Sequence, residues 1–191
     1  MKGIRNIRSS KKYSGEISLR LDEFILDGRH IEKEIVEHRN SVGILAIDGG
    51  IVILVSQYRR AADAVLLEIP AGKLEQGETP LQAARRELVE EIGYKPKSLK
   101  PLVRCYLAPG YDTEYMTIFI ARRLIKVQRG ELDEDENIQV KKIGLHAALR
   151  KCFSGEIRDC KTIAALSAYA TVSGSQRTFG TNNPSIKQKW L

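Results

Sequence analysis

The sequence predicts an α/β (α+β) protein. Two apolar runs rich in β-branched residues, 42–47 and 51–57, are joined by a glycine turn. One helix is strongly punctuated at both ends, and shorter strands and helices follow it. The length of 191 residues suits one domain, or one domain with a small appendage. A hydrophobic fraction of 42% supports a core and a charged fraction of 29% a solvated surface, which excludes global disorder.

Taken in order, residues 15–37 alternate loosely and carry a turn signal at Asp27 and Gly28, so two or three strands are expected before the main body. The expected organisation is an N-terminal β region over 1–40, a main domain over 41–172 and a flexible polar tail over 173–191. The basic stretch 2–12 is expected to be a solvated tail. Asp48, Gly49 and Gly50 form a strong hairpin signal between the two apolar runs. A strand over 66–69 is stopped by Pro70. Thr79 then fits a helix N-cap, Pro80 the first helical position, Gln82 a capping-box partner, and Gly93 a left-handed stop. Strands are expected over 99–107, 116–121 and 138–143. Helices are expected over 145–153 and 161–171, the latter capped by Asp159.

The start of the chain lacks an apolar run, and the most apolar region, 42–55, is interrupted and too short to span a bilayer. A cytoplasmic protein with no membrane partner is therefore expected. Cys105, Cys152 and Cys160 are odd in number and contain no C-x-x-C pair. Three reduced thiols in or near the core are expected, rather than a disulfide framework or a zinc knuckle. The formal net charge of +7 favours anionic partners. No stretch interleaves aromatic and basic residues as a nucleic-acid platform does, so phosphorylated small molecules are favoured over nucleic acid.

The chemistry concentrates on the helix Pro80–Ile92. At about 100° per residue, Leu81, Ala84, Leu88 and Ile92 form a core stripe. Glu87, Glu90 and Glu91 share another side, at spacings i, i+3 and i+4. Carboxylates so placed repel one another, and Arg86, four residues before Glu90, relieves part of that repulsion. Glu90 and Glu91 also lie in the last turn, where the helix dipole disfavours negative charge. A solvated acidic face is the plain alternative. The placement against local electrostatics favours a hard-oxygen ligand set for Mg²⁺ or Mn²⁺.

From Gly72 through Glu78, Arg86, Glu87, Leu88, Glu90, Glu91 and Gly93 to Tyr94, the stretch resembles the Nudix box, G-x5-E-x7-R-E-U-x-E-E-x-G-U, with U a bulky aliphatic residue. Every fixed position matches, and Tyr94 at the last U is the one departure. The resemblance implies the Nudix fold, a mixed β-sheet sandwiched between helices. It implies a loop–helix–loop site in which Glu87 and Glu91 are metal ligands and Glu90 is a further or water-mediated ligand. The Ala71 carbonyl joins them by family analogy. It assigns structural roles to Gly72, Glu78, Arg86, which orients the glutamates, and Gly93.

Other segments resemble the ADP-ribose pyrophosphatase subfamily. They are Gln57 to Ala61, Leu67 to Gly72, the S-P-G-x-x-x-E-like stretch around Pro109, Gly110 and Glu114, the acidic loop 133–140, and the D-x-K-T-like Asp159 to Thr162. Pro109 lies 15 residues beyond Tyr94, the spacing of the subfamily marker. The resemblance covers about 13–169 and implies ADP-ribose as substrate, with AMP and ribose 5-phosphate as products. Arg59, Glu68, Gly110 and Glu114 become candidate substrate-binding residues, with Arg59 on the phosphates. Glu134 is the first candidate for the general base and Glu136 the second, with Glu90 or Glu91 as alternatives on the helix. It also implies a homodimer in which the N-terminal strands form a small antiparallel sheet that helps hold the adenine. Other readings are another nucleotide-sugar or nucleoside-diphosphate-linked pyrophosphatase, a non-hydrolysing ADP-ribose-binding module, and an RNA-end hydrolase. The binding module predicts damaged metal-site glutamates, which are intact here. The RNA-end reading predicts basic residues converging on the cleft.

Overall fold

A computed structural model describes residues 4–130 and 137–174. It contains two sheets. Strands β1 (Ile4–Ser14), β2 (Ser18–Leu26) and β3 (Arg29–Glu37) form a three-stranded antiparallel sheet in the order β1-β2-β3. Asp27 and Gly28 adopt φ of 49° and 80°, the left-handed pair that a two-residue hairpin turn requires.

The main sheet contains β4 (Ser41–Asp48), β5 (Ile51–Arg59), β8 (Tyr94–Tyr106), β9 (Tyr115–Lys126) and β10 (Gln139–Gly144), in the order β10-β5-β4-β9-β8. Short strands β6 (Ala64–Glu68) and β7 (Ala71–Lys73) pair with β5 and β4. The β4–β9 pair is parallel and the other strand pairs are antiparallel, so the sheet is mixed. Gly49 and Gly50, with φ of 55° and 80°, turn β4 into β5.

The period-2 alternation of β4 and β5 divides the core into two layers. Val42, Ile44, Ala46, Ile53 and Val55 face helix α1 (Pro80–Ile92) with Ala84, Leu88 and Ile92. Leu45, Ile47, Val52 and Leu54 face the opposite side, with Ala148 of α2 (Leu145–Ser154) and Ala165 and Leu166 of α3 (Cys160–Gly174). The sheet is thus sandwiched between helices, as expected. Among the described residues no helix is long and apolar enough to cross a membrane.

Several expectations need correction. Residues 4–12 are not a tail, because β1 pairs along its whole length with β2, from Ile4 opposite Leu26 to Ser14 opposite Ser18. Its side chains are almost all exposed, so backbone pairing forms the strand without an apolar pattern. Leu81 does not belong to the core stripe, being 37% exposed, and Ala83 is buried instead. Strands β8 and β9 outrun the expected 99–107 and 116–121, since they pair from Tyr94 opposite Lys126 to Tyr106 opposite Tyr115. Helix α3 runs to Gly174, beyond the expected 171 and into the expected tail, of which 175–191 lie outside the described residues. Cys160 is exposed rather than near the core, because it opens α3; Cys105 and Cys152 are half-buried.

Candidate active site

Local rules place α1. Thr79 and Gln82 form both halves of the capping box, Pro80 opens the helix, and Gly93 closes it with φ of 71°. The rotation of the helix then decides which carboxylates meet the sheet. Ala83, Glu87 and Glu91 repeat every four residues along the edge of the buried face, and Glu87 and Glu91 are 7% and 2% exposed. Glu90, one step around, is half-buried.

The loop before the helix is shaped to these carboxylates. Glu91 Oε2 accepts the Ala71 N–H at 3.2 Å. A Cβ placed on Gly72 would stand 1.8 Å from Glu87 Oε1, so only glycine lets strand β7 lie against that carboxylate. Gly72→Ala is expected to leave the fold intact, because Glu87 can swing its end away. Displacing that group by about 1 Å is expected to lower activity ten- to a hundredfold. Unchanged activity with a wild-type circular dichroism spectrum would refute this.

Arg86 compensates more negative charge than its spacing to Glu90 implies. Its Nε and Nη2 donate to the two oxygens of Glu78 at 3.1 and 3.0 Å. Nη1 reaches Glu87 Oε1 at 2.7 Å and Glu90 Oε2 at 2.9 Å, and Nη2 also reaches the Lys73 carbonyl at 3.0 Å. The bond to Glu78 is the largest cause of the raised Arg86 pKa, against a cost from burial. Conversely, the Arg86 bond holds the Glu78 carboxyl below its ordinary range. Glu78 also accepts the Glu75 N–H, which closes the loop before the helix.

These donors fit a divalent cation. The two buried carboxylates Glu87 and Glu91 are hard oxygen ligands beside Ala71 and Gly72, and Mg²⁺ typically takes one or two carboxylates and completes its shell with substrate and water. Among the described residues no cluster of three or more His, Cys, Asp or Glu side chains is already gathered around a metal position. The guanidinium of Arg86 instead joins Glu87 to Glu90.

A cavity of about 630 Å³ opens in front of Ala71, Gly72, Glu87 and Glu90. Its other walls bring in Arg59, Lys161, Glu114, Ser41 and His38. Ser41 Oγ donates to Glu114 Oε1 at 2.5 Å, and His38 Nδ1 lies 3.7 Å from Glu114 Oε2. The Thr113 side chain is tied to the His38 backbone, with His38 N–H donating to Thr113 Oγ1 at 3.0 Å. Glu68 does not line this cavity. It is 1% exposed and grips Arg59 through both oxygens, at 2.8 and 2.7 Å. Burial pushes the Glu68 carboxyl up, yet Arg59 and Lys161 outweigh it and hold the group below its ordinary range.

Gly110 is likewise not among the cavity-lining residues. Glu134 and Glu136 lie outside the described residues. Among the cavity-lining residues that sequence reasoning missed are His38, Ser41, Lys73 and Lys161. Lys161 had a signal, since it stands inside the Asp159–Thr162 segment; Lys73 fills a variable position of the box, and His38 and Ser41 belong to no motif. Basic and acidic side chains are interleaved in the cavity, with Arg39, Arg59, Lys73, Arg86 and Lys161 against Glu16, Glu75, Glu87, Glu90 and Glu114. The convergence of basic charge that an RNA-end hydrolase calls for is therefore not found among the described residues.

A model of the NUDIX domain family matches residues 37–162. The chain is 39% identical over 169 residues to an ADP-ribose pyrophosphatase of Bacillus subtilis, covering 85% of this chain and 90% of that protein. It is 35% identical over 148 residues to a GDP-mannose pyrophosphatase of Salmonella arizonae, covering 72% of this chain and 76% of that protein. A solved structure described as an ADP compounds hydrolase superposes with a TM-score of 0.83, covering 93% of this chain and 97% of the other. At 21% identity that likeness shows the fold alone.

Proposed function

The chain belongs to the NUDIX family of pyrophosphate-bond hydrolases, and we propose that it hydrolyses ADP-ribose to AMP and ribose 5-phosphate with Mg²⁺. Divalent-metal dependence is general to the family; the choice of Mg²⁺, with Mn²⁺ as a substitute, is part of this proposal, as is a cytoplasmic location. The single observation that supports it most is that Ala71, Gly72 and the buried Glu87 line a cavity that also holds Arg59, with buried Glu91 bonded to Ala71 behind that lining.

In this reading Glu87, Glu91, Glu90 and the Ala71 carbonyl would hold the cation, which when bound would supply charge neutralisation at the phosphates and Lewis-acid polarisation for attack by water. Arg86 keeps Glu87 and Glu90 oriented. Arg59 directs its guanidinium at the phosphate oxygens, where a planar fork suits the geometry. Glu114, tied to Ser41, lies on the same cavity and presents a carboxylate to substrate hydroxyls. Glu134 accepts the proton of the attacking water.

The test is hydrolysis with Mg²⁺ over ADP-ribose, GDP-mannose, NADH, diadenosine polyphosphates and capped RNA. ADP-ribose is expected to give the highest kcat/KM. A tenfold preference for GDP-mannose or capped RNA would overturn the substrate assignment. GDP-mannose is the specific second reading, because a relative carrying that name matches over 72% of the chain.

We also propose a homodimer. None of residues 4–37 is buried, and Ile4, Ile7, Tyr13 and Ile17 are 49%, 49%, 61% and 44% exposed. A three-stranded sheet without a core of its own gains cover from a second subunit, and beside it the adenine is held. Sedimentation at micromolar concentration is expected to give a dimer; a monomer there would remove this part of the proposal.

A further inference from the structure

Glu68 stands apart from the other carboxylates of the site. It is as buried as the hydrophobic core, yet it carries a charge and meets two cations. Arg59 donates Nε to its Oε1 and Nη2 to its Oε2, and Lys161 Nζ donates to the same Oε2. Both cations line the main cavity, and Glu68 does not. Buried charge pairs are often replaceable by apolar residues with no loss of stability, so stability alone is a poor reason for this one.

The placement of Lys161 points the same way. It lies in the first turn of α3, where the helix dipole disfavours a cation. Two carboxylates oppose that cost: Glu68, and Asp159, whose Oδ1 accepts Lys161 Nζ at 2.9 Å. Asp159 Oδ2 meanwhile caps the helix, accepting the Thr162 N–H at 3.0 Å and the Thr162 hydroxyl. Thr162 Oγ1 in turn accepts the Ile69 N–H at 2.7 Å, next to Glu68 in sequence. The start of α3 is thereby fastened to the segment that leads into the Ala71–Gly72 wall.

Donor arithmetic shows what is left over. An arginine has five N–H groups and a lysine ammonium three. Glu68 engages two from Arg59, and Glu68 and Asp159 engage two from Lys161. Donors therefore remain on both cations, on side chains that line the cavity and that are fixed from behind. We infer that Glu68 is a positioning residue that does not touch substrate but holds Arg59 and Lys161 as a two-cation clamp for the phosphates of a nucleoside diphosphate. This rests on the reading of the cavity as a nucleoside-diphosphate site. It moves Glu68 from the substrate-binding set to the layer behind it and adds Lys161 to the contacts.

The test is calorimetric titration of the full chain with ADP in excess EDTA, so that affinity is read without turnover. Glu68→Gln is expected to weaken ADP by about tenfold or more, the range for lost charge-assisted hydrogen bonds. Glu68→Asp, which keeps the charge, is expected to recover part of that loss. In an Arg59→Met background Glu68→Gln is expected to add much less than in the wild type, because one arm of the clamp is already gone. With ADP-ribose and Mg²⁺, KM is expected to rise more than kcat falls.

A merely structural Glu68 would lower the melting temperature and the active fraction while leaving the ADP affinity of the folded protein unchanged, and that result would overturn the clamp. If Glu68→Gln does not fold, Lys161→Met keeps the Glu68–Arg59 pair and is expected to weaken ADP by a similar factor; wild-type affinity there would overturn it as well. So would a wild-type protein that fails to bind millimolar ADP. Failure of the substrate assignment looks different. ADP-ribose would then go unhydrolysed while the variants still lose ADP affinity.

Discussion

Glu91→Gln is expected to reduce kcat/KM for the pyrophosphate substrate by more than about 100-fold, while the protein folds normally. Changes outside the ligand shell of a metal site typically cost 10–100-fold, and Glu91 is assigned to the shell itself. The substitution keeps the side-chain volume at a position that is 2% exposed, so local packing is preserved. It also keeps an oxygen able to accept the Ala71 N–H, the bond seen at 3.2 Å. What disappears is one negative charge at the C-terminal end of α1, where the dipole already disfavours it. A ligand that binds only the folded state raises its stability, so the wild type is expected to gain melting temperature with Mg²⁺ and Glu91→Gln to gain little. Two thermal melts and one progress curve check this. Near-wild-type turnover, or an undiminished Mg²⁺-dependent rise in melting temperature, would remove Glu91 from the ligand set.

The parts of this site that were legible in the sequence are those built within one stretch of chain. Thr79, Pro80, Gln82 and Gly93 act on their own helix ends, so α1 is found with the expected bounds. The spacing of Glu87, Glu90 and Glu91 is fixed by helical geometry, and their shared side follows from it. Burial of Glu87 and Glu91 was not legible, because it depends on how far α1 rotates against β4 and β7; the same rotation exposes Leu81. Arg86 shows the limit clearly. Its neighbour at i+4 is visible from spacing, whereas Glu78, eight residues earlier, meets it only because the loop before the helix folds back. Ser41 reaches the cavity because β4 pairs with β9, placing Ser41 opposite Met116 beside Glu114, and His38 because its N–H bonds Thr113, 75 residues away. Lys161 reaches it because Thr162 bonds Ile69, a contact between residues far apart in sequence. Strand β1 escaped notice for the opposite reason: its exposed side chains leave no pattern.

Glu134→Gln is expected to lower kcat for ADP-ribose by roughly 10²–10⁴, the usual worth of general-base assistance, with KM changing little. The argument starts from the chain, since residues 131–136 lie outside those described. Asp133, Glu134, Asp135 and Glu136 put four carboxylates in a row, a costly arrangement unless solvent or cations relieve it. The described segments on either side fix where this run starts and ends. Arg129 Nε donates to the Glu90 carbonyl at 3.0 Å, and the Gly130 N–H donates to the Val89 carbonyl at 3.1 Å, so the chain leaves directly from the last turns of α1. It returns at Ile138, which is buried in the layer packed against α1. Both anchors thus lie next to the helix that carries Glu87, Glu90 and Glu91, and the four carboxylates fall within the seven residues that separate Gly130 from Ile138. Glutamine retains the size and the polar end but cannot take the proton. Glu136→Gln is expected to have a smaller effect. Rates are to be read at saturating Mg²⁺, where weakened metal affinity no longer mimics a lost base. A defect in Glu134→Gln that disappears as Mg²⁺ is raised would make the residue a ligand. A near-wild-type kcat would move the base to Glu136 or onto α1 itself.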